Sequence, residues 1–284
     1  MALSSQDDEV SRPAKPPIVL TIAGFDPSSG AGITADLQVF AAHGLFGTSA
    51  ITALTVQSTL GVASTYPVDP AILSQTLANL TVDLPPAGIK LGMLATVEIV
   101  SLVAHFLQSL LAENVSSIIP IVLDPVIAAS SGASLLDSDG LEALHHSLLP
   151  RVTWITPNWR ELALLAASQI HDIDDVQRAM LILGHRYPHL HIVATGGDQP
   201  DPSDLLRTPA GIFHFFSGKR IVTTSTHGTG CAFSSALLSR LVLGDSPLAA
   251  VAAAKSFVED ALLHAPGLGH GRGPLDLLGP LRRG

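Results

Sequence analysis

Short apolar segments alternate with longer amphipathic segments along most of this sequence, and that alternation most limits its fold. The apolar segments are hydrophobic at nearly every position, as strands are when helices cover both faces of a parallel sheet. The segments between them have the apolar spacing of helices, which provide the crossover connections that parallel strands need. The pattern therefore predicts an α/β fold, a three-layer α/β/α sandwich with a mainly parallel central sheet.

The predicted strands are Ile18–Ala23, Ser49–Thr55, Gly88–Gly92, Ile118–Leu123, Thr153–Thr156 and His191–Thr195. The predicted helices lie near Gly32–His43, Pro70–Thr81, Val97–Ala112, Leu141–Leu148, Arg160–Ala167, Val176–Tyr187, Thr229–Leu243 and Pro247–His264. Two later segments, Gly211–Phe216 and Ile221–Thr224, flank Ser217-Gly218-Lys219 and predict a C-terminal antiparallel hairpin. No internal repeat or long linker divides the chain, so we expect a single domain over residues 18–284.

The composition excludes several classes of protein. With 47% hydrophobic and 14% charged residues the chain can bury a large core, and a net charge of −9 without a basic stripe argues against nucleic-acid binding. One cysteine excludes an intrachain disulfide and a cysteine-rich metal site. Residues 1–17 are polar and carry acids where a signal peptide would be basic, and no segment is apolar enough for a membrane span. We expect a disordered tail over residues 1–17, a cytoplasmic location and no membrane partner.

The segment Thr226-His227-Gly228-Thr229-Gly230-Cys231 is a glycine-rich turn that leads directly into an amphipathic helix. Free N–H groups and the positive end of the helix dipole favour an anion at such a start. The same field predicts a lowered pKa for the thiol of Cys231. The alternative is a tight strand-to-helix connection in which Cys231 is a small packed residue.

Polar or flexible residues follow the predicted strands in turn. They are Asp26, Gln57, Met93, Asp124, Asn158 and the pair Gly196-Gly197. In open α/β sheets, ligands bind beyond the carboxyl ends of the strands. The set therefore predicts one active-site rim.

Each of these residues also has a simpler interpretation. The loop Gly24–Gly32 lacks the spacing of a dinucleotide-binding motif, and Asp26 could cap the loop or accept a hydrogen bond from a substrate. Asn158 and Glu161 have the spacing of a capping box, or could lie at a hydrated Mg²⁺ near nucleotide phosphates. Asp124 could bind a metal or cap the loop that follows it. Lys255, one of four lysines, could extend to solvent or reach a phosphate. Among twelve histidines, neither His227 nor His270 makes a case alone.

Together these motifs resemble a known family. They are Thr21–Ile33, Lys90-Leu91-Gly92-Met93-Leu94, Leu123-Asp124-Pro125-Val126, Ile155-Thr156-Pro157-Asn158 and Thr226–Cys231. In order and spacing they are similar to those of the hydroxymethylpyrimidine/phosphomethylpyrimidine kinases of thiamine biosynthesis, in the ribokinase-like superfamily. The resemblance extends from about Ile18 to Pro274.

The resemblance implies a ribokinase-like fold, commonly a homodimer, and an ATP- and Mg²⁺-dependent kinase that phosphorylates an aminopyrimidine alcohol and then its monophosphate. It implies these roles: Asp26, Gln57 and Met93 for the substrate pocket; Gly228, Thr229 and Gly230 for an anion hole; Cys231 for the catalytic base; Asn158, Thr195 and Lys255 for the nucleotide; Asp124 and Glu161 for the metal.

The sequence departs from the family pattern at several positions. Ser29 stands where the family usually has glycine, Phe25 where it has a small polar residue, and Thr195 where many members have lysine. These differences leave pyridoxal kinase activity, or a non-catalytic pyrimidine-binding role, as alternative functions. A hydrolase with Cys231 as nucleophile is a further alternative, although no partner triad is evident.

Overall fold

Nine strands form one sheet in this protein. The computed structural model describes residues 15–113, 119–127, 136 and 138–283. Its strands are β1 (Ile18–Phe25), β2 (Phe46–Ser58), β3 (Gly61–Pro67), β4 (Gly88–Leu91), β5 (Ile121–Leu123), β6 (Trp154–Ile155), β7 (His191–Ala194), β8 (Asp204–Arg207) and β9 (Phe213–Phe216). Their order across the sheet is β3-β2-β1-β4-β5-β6-β7-β8-β9. Strands β2, β1 and β4 to β7 are parallel, whereas β3, β8 and β9 each pair antiparallel with their neighbours.

Helices connect and cover these strands. They are α1 (Gly32–Ala42), α2 (Pro70–Asp83), α3 (Val97–Glu113), α4 (Ser138–Ala143), α5 (Trp159–Leu165), α6 (Ile173–Arg186), α7 (Thr229–Val242), α8 (Pro247–Leu263) and α9 (Gly279–Arg283), with a π-helical turn at Leu144–Leu148 and a 3₁₀ turn at Leu149–Arg151. Two helices begin at proline, which lacks the N–H that would have no partner there. In these, the side chains of Asp69 and Ser246 cap the start of α2 and α8.

Alternation along the buried strands separates two cores. Leu20 and Ile22 of β1 face a core that includes residues of α2, α3 and α6, whereas Val19 faces a core with residues of α1, α7 and α8. Successive side chains of a strand point to opposite faces, so a strand that is apolar at every position contributes side chains to both cores. The predicted three-layer α/β/α arrangement is confirmed.

An antiparallel hairpin is present, and the predicted strand Gly211–Phe216 contains β9, but the predicted partner strand Ile221–Thr224 is wrong. The pair is β8 with β9, and the turn between them includes Gly211 at φ +78°. Residues Ile221–Thr224 form no strand. Gly218 is needed for another reason: a Cβ there would overlap the carbonyl oxygen of Pro202. A glycine required by close packing had been interpreted as a glycine required by a turn.

Other differences concern element boundaries. Strand β2 is much longer than predicted, and the antiparallel strand β3 was not predicted at all. Of the predicted disordered tail, residues 1–14 lie outside the described residues, as do 114–118, which include the start of the predicted strand Ile118–Leu123. In the described ranges no helix is both long and apolar enough for a bilayer.

Helix α6 offers a matched test of this packing. Leu183 is 1% exposed in the core beneath the sheet, whereas Leu181, two positions earlier, is 49% exposed. We expect Leu183→Ala to lower the free energy of unfolding by about 2–5 kcal/mol, because it leaves a cavity, and Leu181→Ala by less than about 1 kcal/mol. Urea denaturation of both variants measures this. Equal losses would contradict the assignment of the buried face.

Candidate active site

The residues predicted for the rim lie together at one edge of the sheet. Asp26 follows β1, Met93 follows β4 and Asp124 follows β5, while Asn158 and Thr195 follow β6 and β7 and join in an isolated parallel bridge. Gln57 lies within β2, near its end, rather than after it. Because these strands are neighbours in the parallel part of the sheet, the structure places all of these residues along one edge.

Helix α7 begins at this edge, as predicted. Gly228 precedes it with φ +83°, and a Cβ there would overlap the carbonyl oxygen of Gly30. The first helical positions, Thr229, Gly230 and Cys231, have N–H groups without acceptors within the helix, at the positive end of its dipole. This geometry can cradle an anion, and we call residues 228–231 the cradle.

Asp26 caps the loop that contacts the cradle. One carboxylate oxygen accepts hydrogen bonds from the backbone N–H and hydroxyl of Ser28 at 2.8 and 2.7 Å, and the other accepts from the N–H of Ala31 at 2.9 Å. Burial alone would raise the pKa of Asp26, but hydrogen bonds from His227 and Ser28 hold it below its usual value. Within the same loop Ser29 adopts φ +59°, a left-handed conformation that favours glycine.

His227 joins two of the predicted pocket residues, although sequence reasoning set it aside. Its Nε2 lies 2.7 Å from an Asp26 oxygen and 2.8 Å from Nε2 of Gln57. Nε2 of His227 carries at most one proton, and here that proton is donated to Asp26. The NH₂ group of Gln57 then has no acceptor on Nε2, so the Gln57 amide would have to turn its oxygen toward the ring. The sequence signal that could have indicated His227 was its position immediately before Gly228. His270 is exposed.

Met93 completes this side of the rim. A Cβ on Gly24 would overlap the methyl group of Met93, so the glycine leaves room for that side chain against β1. The carbonyl oxygen of Met93 accepts a hydrogen bond from the Thr52 hydroxyl at 2.6 Å, which links β4 to β2. The structure thus brings Asp26, Gln57 and Met93 to the part of the rim where β1, β2 and β4 adjoin.

A short segment near the C-terminus crosses the outer side of the site. We call residues 269–273 the strap. The N–H of Arg272 donates to the carbonyl of Thr59 at 2.8 Å. Gly273 bonds to the segment just before the cradle: its carbonyl accepts from the N–H of His227 at 3.1 Å, and its N–H donates to the carbonyl of Thr224 at 3.2 Å. The strap therefore connects the β2–β3 turn to the segment that leads into α7.

Two buried carboxylates lie on the other side of the cradle. Asp124 is 5% exposed and accepts from the Ser234 hydroxyl at 3.4 Å. Glu161 accepts from the N–H of Asn158 at 2.9 Å, while Asn158 caps α5, so the predicted capping box is confirmed. Burial raises the pKa of both carboxyl groups, and the charge of Asp124 raises that of Glu161 further.

This donor set fits a divalent cation. Two neighbouring buried carboxylates repel each other, and an ion that accepts hard oxygen ligands would relieve that repulsion. Within the described ranges no group of three or more histidine, cysteine, aspartate or glutamate residues is arranged around a metal site. Any cation held by Asp124 and Glu161 would therefore need water or a ligand for its remaining positions.

Lys255 neither extends into solvent nor stands free at the rim. Its ammonium donates to the carbonyl of Pro202 at 2.7 Å and to Asp204 at 2.9 Å. The other Asp204 oxygen accepts from the N–H of Gly196 at 2.9 Å, immediately after Thr195. Of the two alternatives, extension into solvent is therefore excluded, and Lys255 supports the glycine-rich turn that follows β7.

The predicted acidity of Cys231 is wrong. Burial raises the pKa of its thiol to about 12, and the nearby carboxylates of Asp124 and Asp36 oppose ionisation further. The positive charge of Lys90 and a hydrogen bond from the N–H of Gly32 act in the other direction without overcoming burial. The helix start exists, but the sequence did not reveal that burial would dominate the pKa of this thiol.

Comparison with known proteins agrees with this geometry. A family model described as phosphomethylpyrimidine kinase matches residues 26–276. The chain belongs to this kinase family. It is 38% identical over 276 residues to the hydroxymethylpyrimidine/phosphomethylpyrimidine kinase of Synechococcus elongatus, covering 93% of this chain and 98% of that relative. The family consists of phosphotransferases, so the chain is an enzyme of that type.

Solved structures of kinases share the fold. The phosphomethylpyrimidine kinase of Clostridium difficile superposes with a TM-score of 0.74 at 33% identity, covering 87% of this chain and 99% of that one. The pyridoxal kinase of Staphylococcus aureus in complex with AMP-PCP and pyridoxal superposes with a TM-score of 0.80 at 29% identity, covering 93% and 94%. Both superpositions agree with the fold described above.

The reactivity of Cys231 tests the environment of this kinase's cradle. With a pKa of about 12 the thiolate fraction at pH 8 is on the order of 10⁻⁴, against roughly a quarter for a free thiol. We expect alkylation by iodoacetamide at pH 8 to be at least about 100-fold slower in the folded protein than in urea, and to accelerate continuously up to pH 10. Mass spectrometry reports on one site, because the chain has one cysteine. Rapid alkylation of the folded protein that levels off below pH 8 would contradict the raised pKa.

Proposed function

We propose that this protein uses ATP to phosphorylate 4-amino-5-hydroxymethyl-2-methylpyrimidine and then its monophosphate, in thiamine biosynthesis. The observation that carries the proposal is the position of Cys231. It lies in the first turn of α7, in the cradle. His227, four residues earlier, contacts both Asp26 and Gln57 of the predicted substrate pocket. An anion cradle that adjoins a polar pocket is what transfer of a phosphoryl group to a bound alcohol requires.

Each part of the rim has a task in this reaction. Asp26, Gln57 and Met93 bind and orient the pyrimidine, with His227 fixing the first two. The cradle N–H groups stabilise the oxygens of the phosphoryl group during transfer. The substrate hydroxyl passes its proton to the thiolate form of Cys231 as its oxygen bonds to the γ-phosphorus of ATP, and the bond from that phosphorus to the bridging oxygen breaks to release ADP. Because the thiol of Cys231 is protonated at neutral pH, its resting role is to shape the pocket and donate to Asp124. Phosphoryl transfer depends chiefly on positioning and charge stabilisation, so a weakly populated base is compatible with it.

The nucleotide and its metal would lie on the other side of the cradle. Asp124 and Glu161 would hold Mg²⁺, partly through water, and the ion would offset phosphate charge. Asn158 and Thr195 join the ends of β6 and β7 beside these carboxylates. Lys255 holds the turn at Gly196 through Asp204, which gives it a supporting position toward the nucleotide.

Pyridoxal is the second candidate substrate. The pyridoxal kinase of Staphylococcus aureus that superposes on the chain was solved with pyridoxal and AMP-PCP. It shares the fold of the chain and is 29% identical to it in sequence. Pyridoxal also presents a hydroxymethyl group on a six-membered aromatic ring, so the same pocket could accept it. The relatives named for the pyrimidine, at up to 39% identity, favour the pyrimidine.

A substrate panel tests these alternatives. Purified protein is incubated with ATP and the hydroxymethylpyrimidine, its monophosphate or pyridoxal, each with Mg²⁺ or with EDTA. We expect Mg²⁺-dependent ADP formation with both pyrimidines, at kcat/KM at least about tenfold above that for pyridoxal. A higher value for pyridoxal would reassign the substrate, and tight pyrimidine binding without ADP formation would indicate a non-catalytic relative. Full activity in EDTA would overturn the metal assignment.

A homodimer is the expected assembly. Exposed apolar residues concentrate on β2 and the edge strand β3, where Leu54 is 48%, Val56 54% and Tyr66 60% exposed. An edge strand with such residues is a common site of association. Sedimentation should give twice the chain mass of 29.5 kDa, and Leu54→Lys with Tyr66→Lys should give the monomer, since the two residues pair across the strands. The control Leu263→Lys, on α8, should leave the mass unchanged. A wild-type monomer at micromolar concentration would contradict this assembly.

The organisation of the protein follows from the same observations. A sheet whose strands come from both halves of the described chain supports one domain over residues 18–284. A single cysteine and an acidic net charge support work in the reducing cytoplasm, where ATP is available. Fractionation of cells that express the tagged protein measures its location, and recovery outside the cytoplasm would refute that part.

A further inference from the structure

One buried ion pair lies beneath the cradle and has no part in the mechanism above. The ammonium of Lys90, in β4, is 3.0 and 2.9 Å from the two carboxylate oxygens of Asp36, in α1. Both side chains are completely buried. A buried ion pair contributes little to stability, because well-packed apolar residues are often as stable or more so. The presence of these charges therefore calls for another explanation.

Asp36 ties the ammonium to three structural elements. Its oxygens also accept hydrogen bonds from the hydroxyl of Thr21 in β1 at 2.6 Å and of Ser235 in α7 at 2.7 Å. With the two contacts to Lys90, the carboxylate has four donors and its hydrogen-bonding capacity is filled. The position of the ammonium is consequently fixed relative to β1 and to the helix that begins at the cradle.

The opposite side of the ammonium adjoins the reaction site. Ser235, which also bonds to Asp36, lies one helical turn after Cys231 in α7. After Asp36, the groups whose ionised forms act most strongly on Lys90 are Cys231 and Asp124. A Cβ on Gly92 would lie 2.8 Å from the Lys90 nitrogen, so the glycine leaves space for the ammonium just before Met93. Burial alone would lower the pKa of Lys90, but the adjoining carboxylate of Asp36 raises it above its usual value, so the side chain is cationic.

We propose that Lys90 is a positioning residue for phosphoryl transfer, which holds a fixed positive charge beneath Cys231 and Asp124 and ties the start of α7 to the sheet through Asp36. This rests on the proposed function. Negative charge gathers at the cradle during transfer, and a buried cation whose position is already fixed stabilises it without rearrangement. Asp36 alone could not do so, because its own charge is negative and its acceptors are filled.

The test separates the charge from the brace. Lys90→Met leaves the negative charge of Asp36 buried without a positive charge beside it, and we expect a large loss of thermal stability. The double variant Lys90→Met with Asp36→Asn removes both charges and should recover most of the wild-type Tm. Its kcat should nevertheless remain at least about tenfold below wild type, with KM for ATP and for the pyrimidine within about threefold. Ser239→Ala, which alters a buried hydroxyl of α7 one turn beyond Ser235, is the control and should leave kcat unchanged.

Lys90→Gln covers the case in which the double variant does not fold. It keeps most of the side-chain length and a donor to Asp36 but removes the charge, so the same fall in kcat at nearly constant KM is expected. A wild-type kcat in either folded variant would overturn the proposal and leave Lys90 as a structural brace. A parallel rise in both KM values with kcat maintained would overturn it as well. If the wild-type enzyme transfers no phosphate to any substrate of the panel, the proposed function fails first.

Discussion

The close approach of two backbone segments, at Gly228 and Gly30, is the constraint on which the rest of the site depends. A side chain at residue 228 would overlap the Gly30 carbonyl, and φ at residue 228 is in the left-handed region. This approach places the first N–H groups of α7 beside the Asp26 loop, so that the cradle and the pocket become one site. It also positions His227 to contact Asp26 and Gln57, residues separated from it by 201 and 170 positions.

Electrostatics divides the rim into two unlike sides. On the pocket side, Asp26 receives enough hydrogen bonds to remain ionised despite burial. On the other side of the cradle, burial raises the pKa of Asp124 and of Glu161 in spite of the hydrogen bonds that both carboxyl groups accept. Aspartate thus has a lowered pKa at residue 26 and a raised pKa at residue 124, because the two carboxyl groups differ in burial and in the groups around them.

Sequence patterns predicted the layers and the rim because both depend on local periodicity and on strand order. Other features depend on contacts between distant segments. Gly218 was assigned to a turn, yet it accommodates the Pro202 carbonyl, 16 residues earlier. Lys90 belongs to a motif of the family resemblance, but the sequence did not reveal its partner Asp36, which lies 54 positions away. The thiol of Cys231 was expected to be acidic from its helix position, whereas burial by surrounding elements decides its pKa.

The strap gives the site a particular place in the order of folding. Gly273 bonds to the residue before Gly228, and Arg272 bonds to Thr59, which was synthesised more than 200 residues earlier. During translation the strands of the sheet and the Asp26 loop are therefore made before the strap that provides these partners. Contacts of such long range form late. The nascent enzyme would consequently acquire its sheet before it acquires a fully held cradle, so that activity marks completion of the fold rather than collapse of its core.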